Sequence, residues 1–250
     1  MFPTAVLIAV VGMSSGISSS NFWIPVYMIW LGMEPVVGFW LSLLTMLFGY
    51  GSGVLRNLKQ KTINWPLFRA YLKFSLPAGM IGGYLAPYAP QNLLLTAFAL
   101  FVLLYALWLL YGSYRKIETE MVEGINWKTG LAGGFLQGLL ATGMGKLVLP
   151  GLLHNRQIKD HAAAAGTTVI LVFCVSFAGV VVRLNASFLE VLAQQFQSIL
   201  SIMIWVAPGV LLGGQLGPMV AGRISKDAVK PYVSVLLIMV SGLMFYRALH

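Results

Sequence analysis

Long apolar runs, separated by short polar joints, make up most of this chain. Hydrophobic residues account for 58% of the 250 positions and charged residues for only 9%. Because a helix that spans a bilayer needs about 20 apolar residues, these runs leave no room for a soluble domain. The pattern predicts an all-α polytopic membrane protein with about eight hydrophobic segments, at residues 3–32, 36–55, 67–87, 91–113, 129–153, 162–182, 200–218 and 231–249.

Two parts of the chain resemble each other. The segments Pro77–Pro87 and Pro208–Pro218 share the pattern P-x4-G-G-x3-P, and setting Pro25 against Pro150 aligns the first apolar segment with the fifth. Internal duplication is the usual plan of secondary transporters. We therefore predict a first transmembrane repeat at residues 1–117, a cytoplasmic linker at 118–124 and a second transmembrane repeat at 125–250.

Small and polar residues interrupt the first segment of each repeat. In the first repeat Ser14–Asn21 separates apolar runs of about ten residues, roughly the helix length that crosses half a bilayer. In the second repeat the interruption is Ala141–Gly145. We predict a broken or re-entrant pair of half-helices in each repeat, with N–H groups at the midplane that favour an anion. The sequence leaves open whether these segments re-enter or span the membrane.

The basic residues bear on the orientation of the repeats, because cytoplasmic loops collect Lys and Arg. If each first segment re-enters, the repeats are inverted; if it spans, they are parallel and the charge asymmetry is weaker. In the inverted arrangement the sixteen Lys and Arg residues lie in cytoplasmic loops 56–73, 115–128, 154–160 and 219–230, except Lys146, Arg183 and Arg247. The distribution favours inverted repeats, and it accounts for the net charge of +9 without nucleic acid as a partner.

Lys146 lies deep in apolar sequence, directly after the second break. A charge at the centre of a spanning segment costs about 2.5 to 3.5 kcal/mol, so it needs a partner. The seven Asp and Glu residues lie at segment ends or in loops, and an anionic ligand is the most economical partner. Snorkelling, or pairing with Glu34, stays open as an alternative. We predict a substrate-binding shell of backbone-exposing glycines, hydroxyls, an amide and this lysine: Ser18, Ser19, Ser20, Asn21, Ser42, Thr142, Gly143, Gly145, Lys146, Thr167 and Thr168.

Short motifs in both repeats resemble the TauE/SafE sulfite exporter-like family. Gly16–Ser20 followed by Pro25 is similar to its G-x-G-G-G-x4-P signature, and Ala165–Thr168 resembles its A-x-x-T-S element. Serines replace the glycines in the first copy, Ser42 stands where Thr-Ser is expected, and Lys146 occupies a position usually filled by a neutral residue. The resemblance covers nearly the whole chain.

The resemblance implies a bacterial inner-membrane transporter, often an exporter, of sulfite, sulfonates or related small sulfur-containing or organic anions. Combined with the midplane site, it predicts alternating access. A gated anion channel is the closer alternative. An integral membrane enzyme is the more distant one, because the three histidines and seven acidic residues show no catalytic grouping. We expect no cofactor and no metal site, membrane lipids as partners, and surfaces that permit a homodimer. We also expect a helix to start at His161 with Asp160 as its cap.

Overall fold

The computed structural model describes residues 1–15, 18–114, 124–221 and 226–249. Within these ranges the chain forms helices and no strand. A π-helical turn, Val26–Trp30, extends the second helix, and a 3₁₀ turn, Ala86–Tyr88, extends the fourth. The helices are α1 (Phe2–Ser15), α2 (Ser20–Pro25), α3 (Pro35–Lys59), α4 (Trp65–Leu85), α5 (Gln91–Tyr114), α6 (Trp127–Leu140), α7 (Met144–Leu153), α8 (His161–Val182), α9 (Ala186–Gln194), α10 (Phe196–Ala221) and α11 (Lys226–Leu249).

Polar side chains fix the start of four helices. Asn64, Asn126, Asp160 and Asn185 directly precede α4, α6, α8 and α9, and each side chain accepts a hydrogen bond from a backbone N–H of the first turn. Such caps satisfy N–H groups that have no partner within the helix. The Ala163 N–H donates to Asp160 at 2.7 Å, which confirms the helix start predicted there.

Five of the described helices are long and apolar enough to cross a membrane, and they fall in five of the eight predicted segments. α4 covers the predicted segment 67–87, but it carries Arg69 and Lys73 and is not one of the five. α1 and α7 contain shorter apolar stretches, as expected of half-helices, and α9 was not predicted. The five stretches are Pro35–Lys59, Gln91–Gly112, His161–Val182, Phe196–Leu216 and Pro231–Leu249.

Helices of the first half of the chain pack mainly on helices of the second half. α1 lies on α10 and α6 lies on α4, while α5 pairs with α11 and α3 pairs with α8. α4 also contacts α8, and α10 also contacts α3. The buried core therefore forms between the halves, around fully buried aromatic residues such as Trp23, Phe39 and Phe98.

The G-G pairs of the two P-x4-G-G-x3-P motifs each lie at a close helix crossing. A Cβ on Gly82 would collide with the Phe135 carbonyl oxygen of α6, and a Cβ on Gly213 would lie 2.7 Å from the Val6 carbonyl oxygen of α1. The glycine that follows each of them contacts a third helix, α8 in the first copy and α3 in the second. The motif thus permits close helix packing, which only a residue without a Cβ allows here.

Three connecting segments meet at one end of the helix bundle. The Asn64 Nδ2 in the α3–α4 turn donates to the Gln157 carbonyl oxygen in the α7–α8 turn at 2.9 Å. Asn155 in that same turn donates through Nδ2 to the carbonyl oxygen of Gly124, which precedes α6. These contacts bring together three of the loops in which the basic residues concentrate.

Candidate functional site

α7 folds back alongside α6. Gly133 of α6 faces Leu147 of α7, since a Cβ on Gly133 would lie 3.6 Å from the Leu147 Cβ. One turn or more farther from the break, Gly130 of α6 and Gly151 of α7 both face the side chain of Tyr71. Residue numbers thus rise along α7 as they fall along α6, so the second broken segment is an antiparallel pair of half-helices.

The break between α6 and α7 depends on unusual backbone conformations. Ala141, the C-cap of α6, is left-handed at φ 55°, and Gly143, the N-cap of α7, has φ +125°. A Cβ on Gly143 would also lie 2.8 Å from the Leu136 Cβ. The Met144 N–H donates to the Gln137 Oε1 at 3.3 Å, which holds the start of α7 against α6. Gly143 therefore shapes the turn that places Lys146, the third residue of α7.

Lys146 reaches from the second break to the first. Its side chain is only 5% exposed, and its Nζ donates to the Asn21 Oδ1 at 2.9 Å and to the Thr142 Oγ1 at 3.0 Å. The Thr142 hydroxyl donates to the same Asn21 oxygen at 3.1 Å. Three of the predicted site residues thus form one hydrogen-bonded group, in which Asn21 comes from the first half of the chain and Lys146 and Thr142 come from the second.

Neutral groups surround the Lys146 ammonium. Its Nζ lies 5.0 Å from the ring centroid of Phe101 and 5.0 Å from that of Tyr105, both on α5, which is cation–π distance. Glu34 is exposed at the start of α3 and is not among the hydrogen-bond partners of the lysine. In the described ranges, no group of three or more His, Cys, Asp or Glu side chains is placed to hold a metal ion. Neither aromatic residue was predicted, because the sequence of α5 carries no signal that links it to the breaks.

The serines of the first break mostly bond to their own segment. Asn21 donates through Nδ2 to the Ser18 carbonyl oxygen at 2.8 Å, which orients its Oδ1 towards Lys146. The hydroxyls of Ser18 and Ser20 share a hydrogen bond of 2.7 Å. Ser19 is the N-cap of α2, and its carbonyl oxygen accepts from the Phe22 N–H at 3.0 Å. Of these three buried serines, Ser18 holds the Asn21 side chain directly, and Ser20 bonds to the hydroxyl of Ser18.

Gln137 of α6 is linked to both breaks, directly to the second and through Met46 to the first. Its Oε1 accepts from the first N–H of α7, and its Nε2 donates to the Ser176 Oγ of α8 at 3.0 Å. The Gln137 Nε2 also lies 3.8 Å from the Met46 Sδ, which the Ser18 hydroxyl approaches to 3.6 Å from the other side. A lone glutamine among apolar residues was the sequence signal for this link, which was not predicted, and the structure buries it fully.

The remaining predicted residues lie on α3, α7 and α8. The hydroxyls of Ser42 and Thr168 donate to carbonyl oxygens one turn earlier in their own helices, at 2.8 Å each. Thr167 does the same and also accepts from the Asn64 N–H at 2.9 Å, so its hydroxyl fastens α8 to the α3–α4 turn. Gly145 faces the methyl group of Thr168. None of these residues is hydrogen-bonded to Lys146 or Asn21, and their role in binding a substrate stays a prediction.

Membrane-length helices around a buried cation define the class, an integral membrane protein with a polar centre. The chain belongs to the family described as Sulfite exporter TauE/SafE, whose model matches residues 1–244. It is also similar to the probable membrane transporter protein YunE of Bacillus subtilis (strain 168). The two are 23% identical over 267 residues, which cover 96% of this chain and 93% of the relative. No solved structure matches.

Proposed function

We propose that this protein is a secondary transporter that moves small sulfur-containing or organic anions, such as sulfite or sulfonates, out of a bacterial cell across the inner membrane. The observation that carries the proposal is Lys146, a buried cation that donates to neutral Asn21 and Thr142. Membership of the TauE/SafE family and similarity to a probable membrane transporter support transport as the activity.

Lys146 and the start of α7 together favour a negatively charged ligand. An ammonium group has three N–H donors, and the two named hydrogen bonds leave one for the ligand. Lys146 is the third residue of α7, so the positive end of the helix dipole acts on the same point. A sulfite or sulfonate offers several oxygens to such donors. Phe101 and Tyr105 would form the apolar wall beside it.

Two inverted repeats are the arrangement that best explains the helix contacts. Exchanging the halves maps the α1–α10 contact onto the α6–α4 contact, and the α3–α8 and α5–α11 contacts onto themselves. The return of α7 along α6 supports a re-entrant first segment, which makes the topology of the halves opposite. Inverted halves also bring the loops near Asn64, Gly124 and Gln157 to one side, as their hydrogen bonds require.

Alternating access then centres on the contact between the two breaks. Rocking of one repeat against the other would open the Asn21–Lys146 group first to one side of the membrane and then to the other. The membrane potential, negative inside, drives an anion outwards, at about 2.3 kcal/mol per charge for each 100 mV. Export by uniport therefore needs no carboxylate for a coupling ion.

Counterflow in proteoliposomes tests the proposal against its closest alternative, a gated anion channel. Vesicles loaded with unlabelled sulfite should accumulate labelled sulfite transiently, because a carrier exchanges its ligand across the membrane. Methanesulfonate inside the vesicles should replace sulfite if sulfonates share the site. Voltage-dependent currents without trans-stimulated exchange would establish a channel and overturn the transporter.

Cysteine labelling tests the inverted topology separately. Lys128 and Lys159 are exposed, and each can be replaced by Cys in a Cys174→Ala background. The inverted arrangement predicts that a membrane-impermeant maleimide reaches both positions from the cytoplasmic side. Labelling of the two positions from opposite sides would establish parallel repeats instead.

A further inference from the structure

Arg183 is a second buried cation, and it lies where an external loop was expected. It directly follows α8, and its side chain is 0% exposed. Its Nη2 donates to the carbonyl oxygens of Gly138 and Leu139, the latter at 2.9 Å. These carbonyls belong to the last turn of α6, where helix carbonyls lack intrahelical partners and the dipole is negative. Arg183 therefore caps the half-helix that leads into the second break.

A close contact between α6 and α8 places this guanidinium. Gly179 lies one turn before Arg183, on the same face of α8. A Cβ on Gly179 would lie 3.7 Å from the Gly138 Cα, so the two backbones nearly touch. The arginine side chain then needs to extend only to the end of α6. Its position is thus fixed by helix packing and not by a flexible loop.

Capping α6 uses only part of the guanidinium. The Nε and Nη1 atoms of Arg183 are buried and have no hydrogen-bond partner in the described part of the chain. Arginine stays protonated in proteins, so these N–H groups cannot avoid their desolvation by losing a proton. A carbonyl cap needs a donor, which a neutral side chain also supplies, whereas unpartnered N–H groups of a buried cation call for a negatively charged acceptor.

The two buried cations border the same short segment. Arg183 binds the Leu139 carbonyl oxygen and Lys146 binds the Thr142 hydroxyl, and Thr142 is only three positions after Leu139. Three residues of fully extended chain span about 10 Å at most. The guanidinium and the ammonium thus both contact the short segment that leads from α6 into α7. Arg183 lies at the end of the membrane-length helix α8.

We infer that the Nε and Nη1 groups of Arg183 form a second binding position for the same class of small oxyanion, next to the Lys146 site. The inference rests on the proposed function, because it assigns the second position to the anion that occupies the first. An anion leaving Lys146 moves along the break to Arg183 before it reaches the membrane surface at the end of α8. The cap on α6 keeps the guanidinium in place while the anion is bound.

Equilibrium binding of sulfite and methanesulfonate to the purified full-length protein tests this position. Wild type should bind in two saturable phases, measured by calorimetry at constant ionic strength. Arg183→Gln keeps an N–H donor for the α6 carbonyls but removes the charge, and it should lose one phase. Lys146→Met should lose the other. Arg183→Lys keeps both a charge and a donor, and it should retain the second phase with an affinity about tenfold weaker. Lys128→Gln, an exchange at an exposed cation, should leave both phases intact.

The outcomes separate this inference from the proposed function. A single phase in wild type that depends on Lys146 and survives Arg183→Gln would overturn the second position and leave the transporter standing. Absence of anion binding to wild type would overturn both. If Arg183→Gln does not fold, Arg183→Lys decides: an affinity for both phases equal to that of wild type would make Arg183 a helix cap alone.

Discussion

The two breaks meet at the Asn21–Lys146 hydrogen bond but carry different chemistry. At the first, the hydroxyls of Ser18 and Ser20 bond to each other, and the Asn21 side chain accepts from Lys146 of the second break. At the second, Lys146 and Arg183 flank the turn. The first break supplies a neutral amide and the second supplies the charge. Under the proposed function, the difference between the two breaks would supply the affinity for an anion.

Removing the charge of the second break should have the largest effect. Lys146→Met should lower counterflow of sulfite at least 100-fold, because the ligand loses its only cationic contact in the central site. The protein without anion should melt no earlier than wild type, since an ammonium within the membrane is costly. Lys128→Met provides the control. Counterflow at the wild-type rate in Lys146→Met would place the anion elsewhere.

Substitution of the first glycine in each P-x4-G-G-x3-P motif should lower the stability of the protein by a similar amount. Gly82→Ala and Gly213→Ala each force a Cβ into a carbonyl oxygen of the facing helix, and each should destabilise the protein by about 2 to 3 kcal/mol. Gly242→Ala is the matched control, because a Cβ there meets no atom within 4 Å. Thermal melting in detergent measures all three. A loss of stability in only one of the first two variants would show that the crossings are not equivalent.

A charge placed on the first break should compete with the anion. In Asn21→Asp, a carboxylate would lie about 3 Å from the Lys146 ammonium and pair with it. We expect anion affinity to fall about tenfold and the melting temperature without anion to rise. Asn126→Asp makes the same exchange at the exposed cap of α6, where the side-chain oxygen accepts from backbone N–H groups, and should change neither quantity. Undiminished affinity in Asn21→Asp would contradict the role of Asn21 beside the ligand.

The smallest effect should follow from hydroxyls that bond to their own helix. Ser42→Ala removes a hydrogen bond to the Gly38 carbonyl oxygen, and anion affinity should change by less than about twofold. Thr142→Val removes a group that both accepts from Lys146 and donates to Asn21, and affinity should fall about fivefold. Titration of methanesulfonate compares the two variants. Equal losses would mean that Ser42 contacts the ligand directly.

The hydrophobic pattern explains why part of the polar centre was predictable from sequence. Aligning Pro25 with Pro150 located the interruptions that hold Asn21 and Thr142, although an anionic ligand, and not these neutral residues, was the predicted partner of Lys146. The structure places Asn21 and Thr142 within hydrogen-bond distance of that lysine. Pattern and charge were sufficient here because polar groups are rare, and costly, inside apolar segments.

Contacts between distant segments were not predictable in the same way. Phe101 and Tyr105 lie in a uniformly apolar helix, where no position differs from its neighbours by pattern. Arg183 was expected in an external loop, because charges at segment ends usually mark loops. The close approach of α6 and α8 buries it instead. Thr167 was expected beside a ligand, which stays a prediction, and its contact with the α3–α4 turn was not foreseen. α9 is too short to register as a span.

One comparison of ligands tests most directly whether the Lys146 charge is balanced by a bound anion. Methanesulfonate and dimethyl sulfone are similar in size and differ in charge, and thermal melting of wild type and Lys146→Met can be measured with each. The account predicts that methanesulfonate stabilises wild type, that Lys146→Met loses most of this effect, and that dimethyl sulfone stabilises neither protein. Equal stabilisation of both proteins by methanesulfonate, or of wild type by both ligands, would contradict it.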